Sequence, residues 1–424
     1  LKPRPPLPPG PFLIVGLARS GVAAALALRA RGEEVIGVDS GSPAALGALR
    51  EAGVELRLQT DGLAELERVR TIVKSPGVPA QAPLVAQARA QGMPVLGELE
   101  LAWRLLPNEL IAVTGTNGKT TTTELIGHIH REAGLPVAVA GNVGTALSSL
   151  IGRVKSQATI VCEASSFQLE DTVAFAPEAA VLLNIAPDHL NRHGTMQAYT
   201  AAKLEIFARQ SAEDLAVLPV DLPSEGVGGE ARRVRFDAGE PMLAPGELRM
   251  PGVHNLHNAM AAAAVCLARG MDADAVRAGL RSFVGVPHRL EEVARREGVL
   301  YVNDSKATNV ASTLVALRAF PGGGIHLILG GQGKGQDFAP LRAAVEQSCR
   351  AVYLIGEDAP LIAAALVGAD VPLHRCETLE QALRAARAHA VAGEVVLLSP
   401  GCASFDQFAD FEARGERFRA LVEG

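Results

Sequence analysis

The run Leu110-Ile111-Ala112-Val113-Thr114-Gly115-Thr116-Asn117-Gly118-Lys119-Thr120-Thr121 decides the fold. Its apolar start reads as a buried strand and its Thr-rich end as the first turn of a helix, with a Gly-bearing turn between. At such a junction the backbone N–H groups of the helix N-terminus cradle phosphate oxygens. Lys119 is placed to neutralise β/γ-phosphate charge, and Thr120 to offer a hydroxyl to Mg²⁺. Val113 stands where the first Gly of the longer Gly-x-x-x-x-Gly-Lys loop would fall. A Gly-rich turn with an incidental lysine is the bland alternative, and the flanking strand and helix speak against it. Gly115, Thr116, Asn117, Gly118, Lys119, Thr120 and Thr121 are the candidate nucleotide-binding residues.

Upstream, the strand Phe12–Val15 runs into a Gly16-Leu17-Ala18-Arg19-Ser20-Gly21 turn, an Ala-rich helix and a second strand ending at Asp39. That is a βαβ unit with an acid about 20 residues past the glycines, the plan of a nucleotide-binding half-sheet. The Gly-x-Gly-x-x-Gly pattern is broken at Ala18, which argues against NAD and leaves another nucleotide open. A further strand ends in Lys74-Ser75-Pro76-Gly77. Downstream, 158–163 and 179–185 read as strands, 219–251 as loops and short strands, and 255–269 as a helix. Beyond residue 286, strands at 300–302, 326–329, 351–355 and 395–398 alternate with helical stretches, which predicts a third, mostly parallel sheet. The fold class is α/β, in three domains: 1–97, 98–285 and 286–424.

Composition agrees. A chain of 424 residues is too long for one ordinary core. Hydrophobic content of 48% with 43 Gly and 26 Pro describes a soluble globular protein with many turns. Net charge of −6 without a basic stripe argues against nucleic acid as a partner. No stretch suits a bilayer span, the Pro-rich opening lacks the apolar region of a signal peptide, and five cysteines without a Cys-x-x-Cys pair suit a reducing, cytoplasmic setting. Of 40 basic residues only seven are lysine. Lys119, Lys203, Lys306 and Lys334 all sit in distinctive local patterns, where a compact ammonium or a modifiable amine is wanted.

Glu163 ends an apolar strand, from which an acid reaches phosphate-bound Mg²⁺; a strand-end charge facing water is the alternative. His189 follows another buried strand and reads as a metal ligand or a surface loop residue. Lys203 lies in a helical stretch where spacing alone allows a solvated charge. In the third segment, Asp304-Ser305-Lys306-Ala307-Thr308-Asn309, Gly330-Gly331-Gln332-Gly333-Lys334 and Ser399-Pro400-Gly401-Cys402-Ala403-Ser404-Phe405 each follow a strand. Ligands of open parallel sheets bind beyond the carboxyl ends of strands, so these loops point to one crevice holding an anionic ligand.

The Thr-Gly-Thr-Asn-Gly-Lys-Thr loop and the string Glu163-Ala164-Ser165-Ser166-Phe167-Gln168-Leu169-Glu170 resemble the Mur ligase family. So do Gly252 to Asn258, His288-Arg289, Asp304 to Asn309, and Ser399 to Phe408. The motifs run in order over nearly the whole chain, and the Ser-Ser-Phe-Gln-Leu-Glu string is most similar to the D-glutamate-adding branch. The resemblance implies a Rossmann-like UDP-binding domain, a central P-loop ATPase-like domain and a C-terminal Rossmann-like domain that receives the amino acid. It implies ATP, two Mg²⁺ ions, UDP-N-acetylmuramoyl-L-alanine and D-glutamate as ligands, and a cytoplasmic monomer.

By the same resemblance, Lys119, His189, Lys203 and Lys306 serve the chemistry. Thr120, Glu163, His189 and a carbamylated Lys203 serve the metals, and Asn258, Arg289 and Asp304 the nucleotide. Ala18, Arg19, Asp39, Ser40, Ser75 and Gly77, with Asn142, Ser165 and Gln168, match the UDP-sugar side. Thr308, Lys334, Ser404 and Phe411 match the D-glutamate pocket. Ala18-Arg19 departs from commoner family residues. A folylpolyglutamate synthase-like ligase would lack the first hundred residues, and a diaminopimelate- or lysine-adding ligase would carry an Asp-Asn-Pro-type string that is missing here. A non-catalytic nucleotide sensor would have little use for Glu163, His189 and Lys203.

Overall fold

The computed structural model describes residues 2–424 except 44–45, 224–225, 238–241, 244, 251 and 334. Two compact units are present: Leu1–Leu248 with Val253–Phe283, and Arg249–Gly252 with Val284–Gly424.

The first unit holds two sheets. Strands β1 (Phe12–Val15), β2 (Val35–Asp39), β3 (Glu55–Leu58), β4 (Thr71–Lys74) and β5 (Val95–Gly97) pair in parallel in the order β3-β2-β1-β4-β5. The order reverses at β1, so the crevice of this sheet opens between the turn after β1 and the loop after β4. Strands β6 (Leu110–Thr114), β7 (Val137–Gly141), β8 (Thr159–Glu163), β9 (Ala179–Leu182), β10 (Leu215–Pro219) and β11 (Arg232–Phe236) form the second, also parallel, in the order β11-β10-β9-β6-β8-β7. Here β6 lies between β8 and β9, which sets the phosphate loop beside Glu163 and the segment after Leu182. Both faces of β6 are buried, so its residues are uninterruptedly apolar up to Thr114.

The two sheets are joined by polar contacts buried at their seam. Lys74, fully buried at the end of β4, pairs with Asp171 at 2.6 Å. The helix Glu98–Leu105 follows β5; its Glu98 accepts from the Ser148 amide (2.7 Å), and Glu100 accepts from the amides of Val173, Ala174 and Phe175. Trp103, on the same helix, packs edge-on against Phe175 with ring centroids 5.7 Å apart.

The second unit holds one six-stranded sheet: β12 (Glu291–Arg296), β13 (Val299–Asn303), β14 (Ile325–Gly330), β15 (Cys349–Ile355), β16 (Leu373–Glu377) and β17 (Val395–Leu398), in the order β12-β13-β17-β14-β15-β16. Only β12 is antiparallel, returning along β13 through a two-residue turn at Glu297-Gly298. The three polar loops singled out in the sequence follow β13, β14 and β17, which are adjacent strands. The parallel register therefore delivers them to one end of the sheet.

Candidate active site

The phosphate loop is fixed from several sides. Gly118 has φ of 86°, and a methyl group on it would overlap the Asn258 side chain, so both conformation and space require glycine. Asn184, two residues beyond β9, accepts from the Asn117 amide (2.9 Å) and donates to its carbonyl (3.1 Å), while its own carbonyl accepts from the Thr116 amide (3.0 Å). Thr116 Oγ1 lies 3.0 Å from the Tyr199 hydroxyl and accepts from the Ala186 amide at 3.0 Å. Spacing and motif had not pointed to Asn184 or Tyr199. Both work through the backbone or hydroxyl of the loop, which a one-dimensional pattern does not display.

Two lysines converge on one oxygen. The Gly115 carbonyl accepts from Lys119 Nζ at 2.9 Å and from Lys203 Nζ at 2.7 Å. Lys119 also donates to the Thr116 carbonyl (2.9 Å). The helix Met196–Leu204, capped by Thr195, turns Tyr199 and Lys203 inward, and Lys203 is only 1% exposed. Its ammonium rests 4.7 Å from the centre of the Tyr199 ring. Burial, and then the neighbouring Lys119 charge, bring its pKa down from the ordinary lysine value to about 7, against the opposing pull of Asp188 and Glu163. The solvated helix charge left open by spacing is excluded.

Glu163 ends β8 and is 3% exposed. Oε1 accepts from Asn142 Nδ2 at 3.1 Å, whereas Oε2 is buried without a hydrogen-bond partner among the described residues. A bare buried carboxylate oxygen is costly unless something cationic meets it. That fits a metal site better than the water-facing charge considered from sequence. His189 sits at a left-handed turn with φ of 52°, its amide donating to Asp188 Oδ1 (2.8 Å) and its ring 4.8 Å from that of Phe167. Burial and the cations Lys119, Lys203 and Arg192 lower its pKa, so the neutral, ligating form of the imidazole prevails. Among the described residues no three His, Cys, Asp or Glu side chains form a ready-made cage. A Mg²⁺ ion here would take Glu163 and His189 and complete its shell with phosphate oxygens and water, as Mg²⁺ commonly does.

On the first sheet, Asp39 is occupied in shaping the turns: its carboxylate accepts from the amides of Leu17 (2.7 Å) and Gly41 (2.8 Å). Ala18 is the N-cap of the helix Arg19–Ala30, and Arg19 donates across to the Gly144 carbonyl of the second sheet (2.9 Å). Ser75 donates to the Gly16 carbonyl (2.7 Å), tying the loop after β4 to the turn after β1, while Ser40 and Gly77 are exposed beside them. Asn142 is exposed, and Ser165 and Gln168 form a capping box in which Gln168 Oε1 accepts from the Ser165 amide (3.0 Å). Gln168 thus carries a structural duty that its motif did not reveal.

In the second unit the three strand-end loops are laced together. Gln332 and Ala403 exchange backbone hydrogen bonds at 2.9 Å, and Gln336 accepts from the Val310 amide while donating to the Gly401 carbonyl. Asp304 is buried, accepting from Ser399 Oγ (2.8 Å) and the Leu290 amide (3.2 Å), and burial raises its pKa to about 7 despite the nearby Arg289. Lys306 lies 5.9 Å from the centre of the Phe411 ring. Ser404 is buried, whereas Thr308 and Phe411 are partly exposed. Lys334 lies outside the described residues. Arg414, unmarked in the sequence, is buried at this junction and donates to Ser305 Oγ and the carbonyls of Ser305 and Cys402.

Residues 11–97 match the model of the Mur ligase MurD-like N-terminal domain, 113–240 the Mur ligase middle domain, and 288–402 the Mur ligase glutamate ligase domain. The chain is 43% identical to the UDP-N-acetylmuramoylalanine–D-glutamate ligase of Acidobacterium capsulatum over 97% of its own length and 95% of the relative's. It is 42% identical to the protein of the same name from Solibacter usitatus, over 97% of each. Among solved structures, UDP-N-acetylmuramate-alanine ligase MurC of Thermotoga maritima matches with a TM-score of 0.61 at 20% identity, covering 98% of this chain and 99% of that one. At that identity the match speaks for the fold alone. The phosphate loop, the paired lysines and the three sheets, matched along nearly the full length, make this chain a member of the Mur ligase family, in its MurD-like branch.

Proposed function

We propose that this chain is an ATP-dependent amide ligase that adds D-glutamate to UDP-N-acetylmuramoyl-L-alanine in peptidoglycan precursor synthesis. The observation that carries the reading is the convergence of Lys119 and Lys203 on the Gly115 carbonyl beside the bare Glu163 oxygen, in a chain so similar to ligases of that name. The L-alanyl carboxylate takes the γ-phosphoryl group of ATP, forming an acyl phosphate and ADP. The amine of D-glutamate then attacks the acyl carbon, a tetrahedral intermediate forms, and phosphate leaves as the amide closes.

The protein's share is positioning and charge. The loop amides and Lys119 hold the β/γ-phosphates, and Thr120, Glu163 and His189 would hold Mg²⁺, which supplies charge neutralisation to the transferring phosphoryl group. Lys203 serves as a carbamate: its neutral amine adds CO₂ and releases a proton, turning a cation into an anion. With a pKa near 7 the neutral amine is about a thousandfold more populated at neutral pH than in an ordinary lysine. The carbamate also converts the Lys119–Lys203 repulsion into attraction.

Asn258, Arg289 and Asp304 are assigned to the nucleotide and Lys306 to the transferred phosphate. Thr308, Lys334, Ser404 and Phe411 are assigned to D-glutamate, and Ala18, Arg19, Asp39, Ser40, Ser75, Gly77, Asn142, Ser165 and Gln168 to the UDP-sugar side. The test is ADP release with UDP-N-acetylmuramoyl-L-alanine and, in turn, D-glutamate, L-glutamate and diaminopimelate. D-Glutamate alone should support turnover; preference for either of the others, or no release with any, overturns the reading.

A further inference from the structure

Arg192 was not marked by any sequence pattern, since arginine is this chain's ordinary surface cation. Its side chain is nevertheless mostly buried and holds several partners at once. The guanidinium donates to the Pro76 carbonyl (2.7 Å) and the Val78 carbonyl (3.3 Å), both in the loop after β4 of the first sheet. It also donates to Glu170 Oε1 (2.7 Å) and lies 4.1 Å from the centre of the Phe167 ring, both in the segment after β8 of the second sheet. Lys74 reinforces the same loop by donating to the Val78 carbonyl at 2.7 Å.

The backbone of Arg192 faces the other way. The amides of Arg192 and His193 both donate to the His189 carbonyl, at 3.0 and 3.1 Å. The short helix Leu190–His193 begins from that carbonyl, and His189 holds its left-handed backbone there. That conformation costs a non-glycine residue about 1–2 kcal/mol and persists only where surroundings enforce it. The Phe167 ring, 4.8 Å from His189 and 5.3 Å from a near-parallel His193, forms the floor of the turn. One residue thus grips the loop carrying Ser75 and Gly77 with its side chain and the turn carrying His189 with its backbone. A planar guanidinium can bridge two carbonyls and a carboxylate at once, whereas an ammonium is a point charge without that fixed fork.

We infer that Arg192 is a positioning residue that couples the UDP-sugar loop of the first sheet to the His189 turn of the second, so that seating the sugar nucleotide sets His189 for phosphoryl transfer. The inference rests on the function proposed above.

The test uses the full chain and its Arg192→Lys and Arg192→Ala variants. Thermal melting checks that each is folded. Both are expected to show a KM for UDP-N-acetylmuramoyl-L-alanine raised about tenfold and a kcat lowered about tenfold, with the KM for D-glutamate unmoved. Hydrogen exchange supplies a readout that a merely structural role would not move. In the parent, UDP-N-acetylmuramoyl-L-alanine alone, without nucleotide, should protect residues 186–195, and in the variants that protection should vanish.

An unaltered KM for the sugar nucleotide in Arg192→Lys, protection that persists in it, or no protection in the parent overturns the coupling. If the alanine variant does not fold, the lysine variant decides by the same measures. A parent that releases no ADP with both substrates present overturns the proposed function instead, which keeps the two failures distinguishable.

Discussion

Lys203 shows what a single residue owes to its surroundings. Sequence singled it out through the scarcity of lysine and the family resemblance; its burial against Tyr199 and its shared carbonyl with Lys119 became visible only in three dimensions. As a carbamate it should be irreplaceable by arginine. Lys203→Arg is expected to lose nearly all ADP release despite keeping the charge, and Lys203→Ala to recover part of its activity when a short carboxylic acid is added. Turnover of Lys203→Arg at the parent rate would sink the carbamate role. Asp304 offers a separate test through pH. Its folded pKa of about 7 lies above the ordinary carboxylate value, so the folded state binds the extra proton. Stability from this group is full below the unfolded pKa and is lost as pH rises through about 7. Urea midpoints of Asp304→Asn should therefore fall less between pH 4 and pH 7 than those of the parent; parallel curves would refute the shift.

At the scale of elements, every strand read directly from an apolar run is an interior one, though not every interior strand was read. The strands read directly from apolar runs were β1, β2, β4, β6, β8, β9, β13, β14, β15 and β17, all interior to their sheets. The edge strands β3, β12 and β16 went unread because their residues are mixed; β12, for instance, is Glu-Glu-Val-Ala-Arg-Arg. The edge strand β7 and the interior strand β10, Val-Ala-Val-Ala-Gly and Leu-Ala-Val-Leu-Pro, went unread although both are apolar. Charge on an edge strand also discourages pairing with other chains. The phosphate loop was legible because strand, glycines and lysine are contiguous, whereas its support by Asn184 spans 67 residues. Gly118→Ala tests the loop as an element. A left-handed alanine costs about 1–2 kcal/mol, and the added methyl must displace Asn258. The variant should lose about that much stability in urea unfolding and most of its ATP affinity in calorimetry. Parent-like affinity would mean that the loop tolerates rearrangement.

At the scale of the molecule, the first unit depends on a polar seam between its two sheets that no local pattern could announce, since its partners are far apart in sequence. Lys74 and Asp171, both essentially unexposed, meet at 2.6 Å. Burial pushes the lysine pKa down and the aspartate pKa up, so for each the loss of water outweighs its partner's pull. At an effective dielectric of about 20 the attraction is about 6 kcal/mol, while removing each ion from water costs several, so the intact pair comes out near neutral. Its worth lies in register: an apolar pair could slide, whereas this one aligns the end of β4 with the segment after β8. Breaking it is another matter. Asp171→Asn leaves a buried ammonium without its counter-charge and is expected to cost about 3–5 kcal/mol, whereas Lys74→Met with Asp171→Leu should cost far less. The chain's single tryptophan, Trp103, is buried on the helix that crosses this seam, against Phe175, so its fluorescence reports the first unit's unfolding. In urea the Asp171→Asn midpoint should drop well below that of the double variant. If the two midpoints coincide, the ion pair stabilises the seam outright and the register account fails.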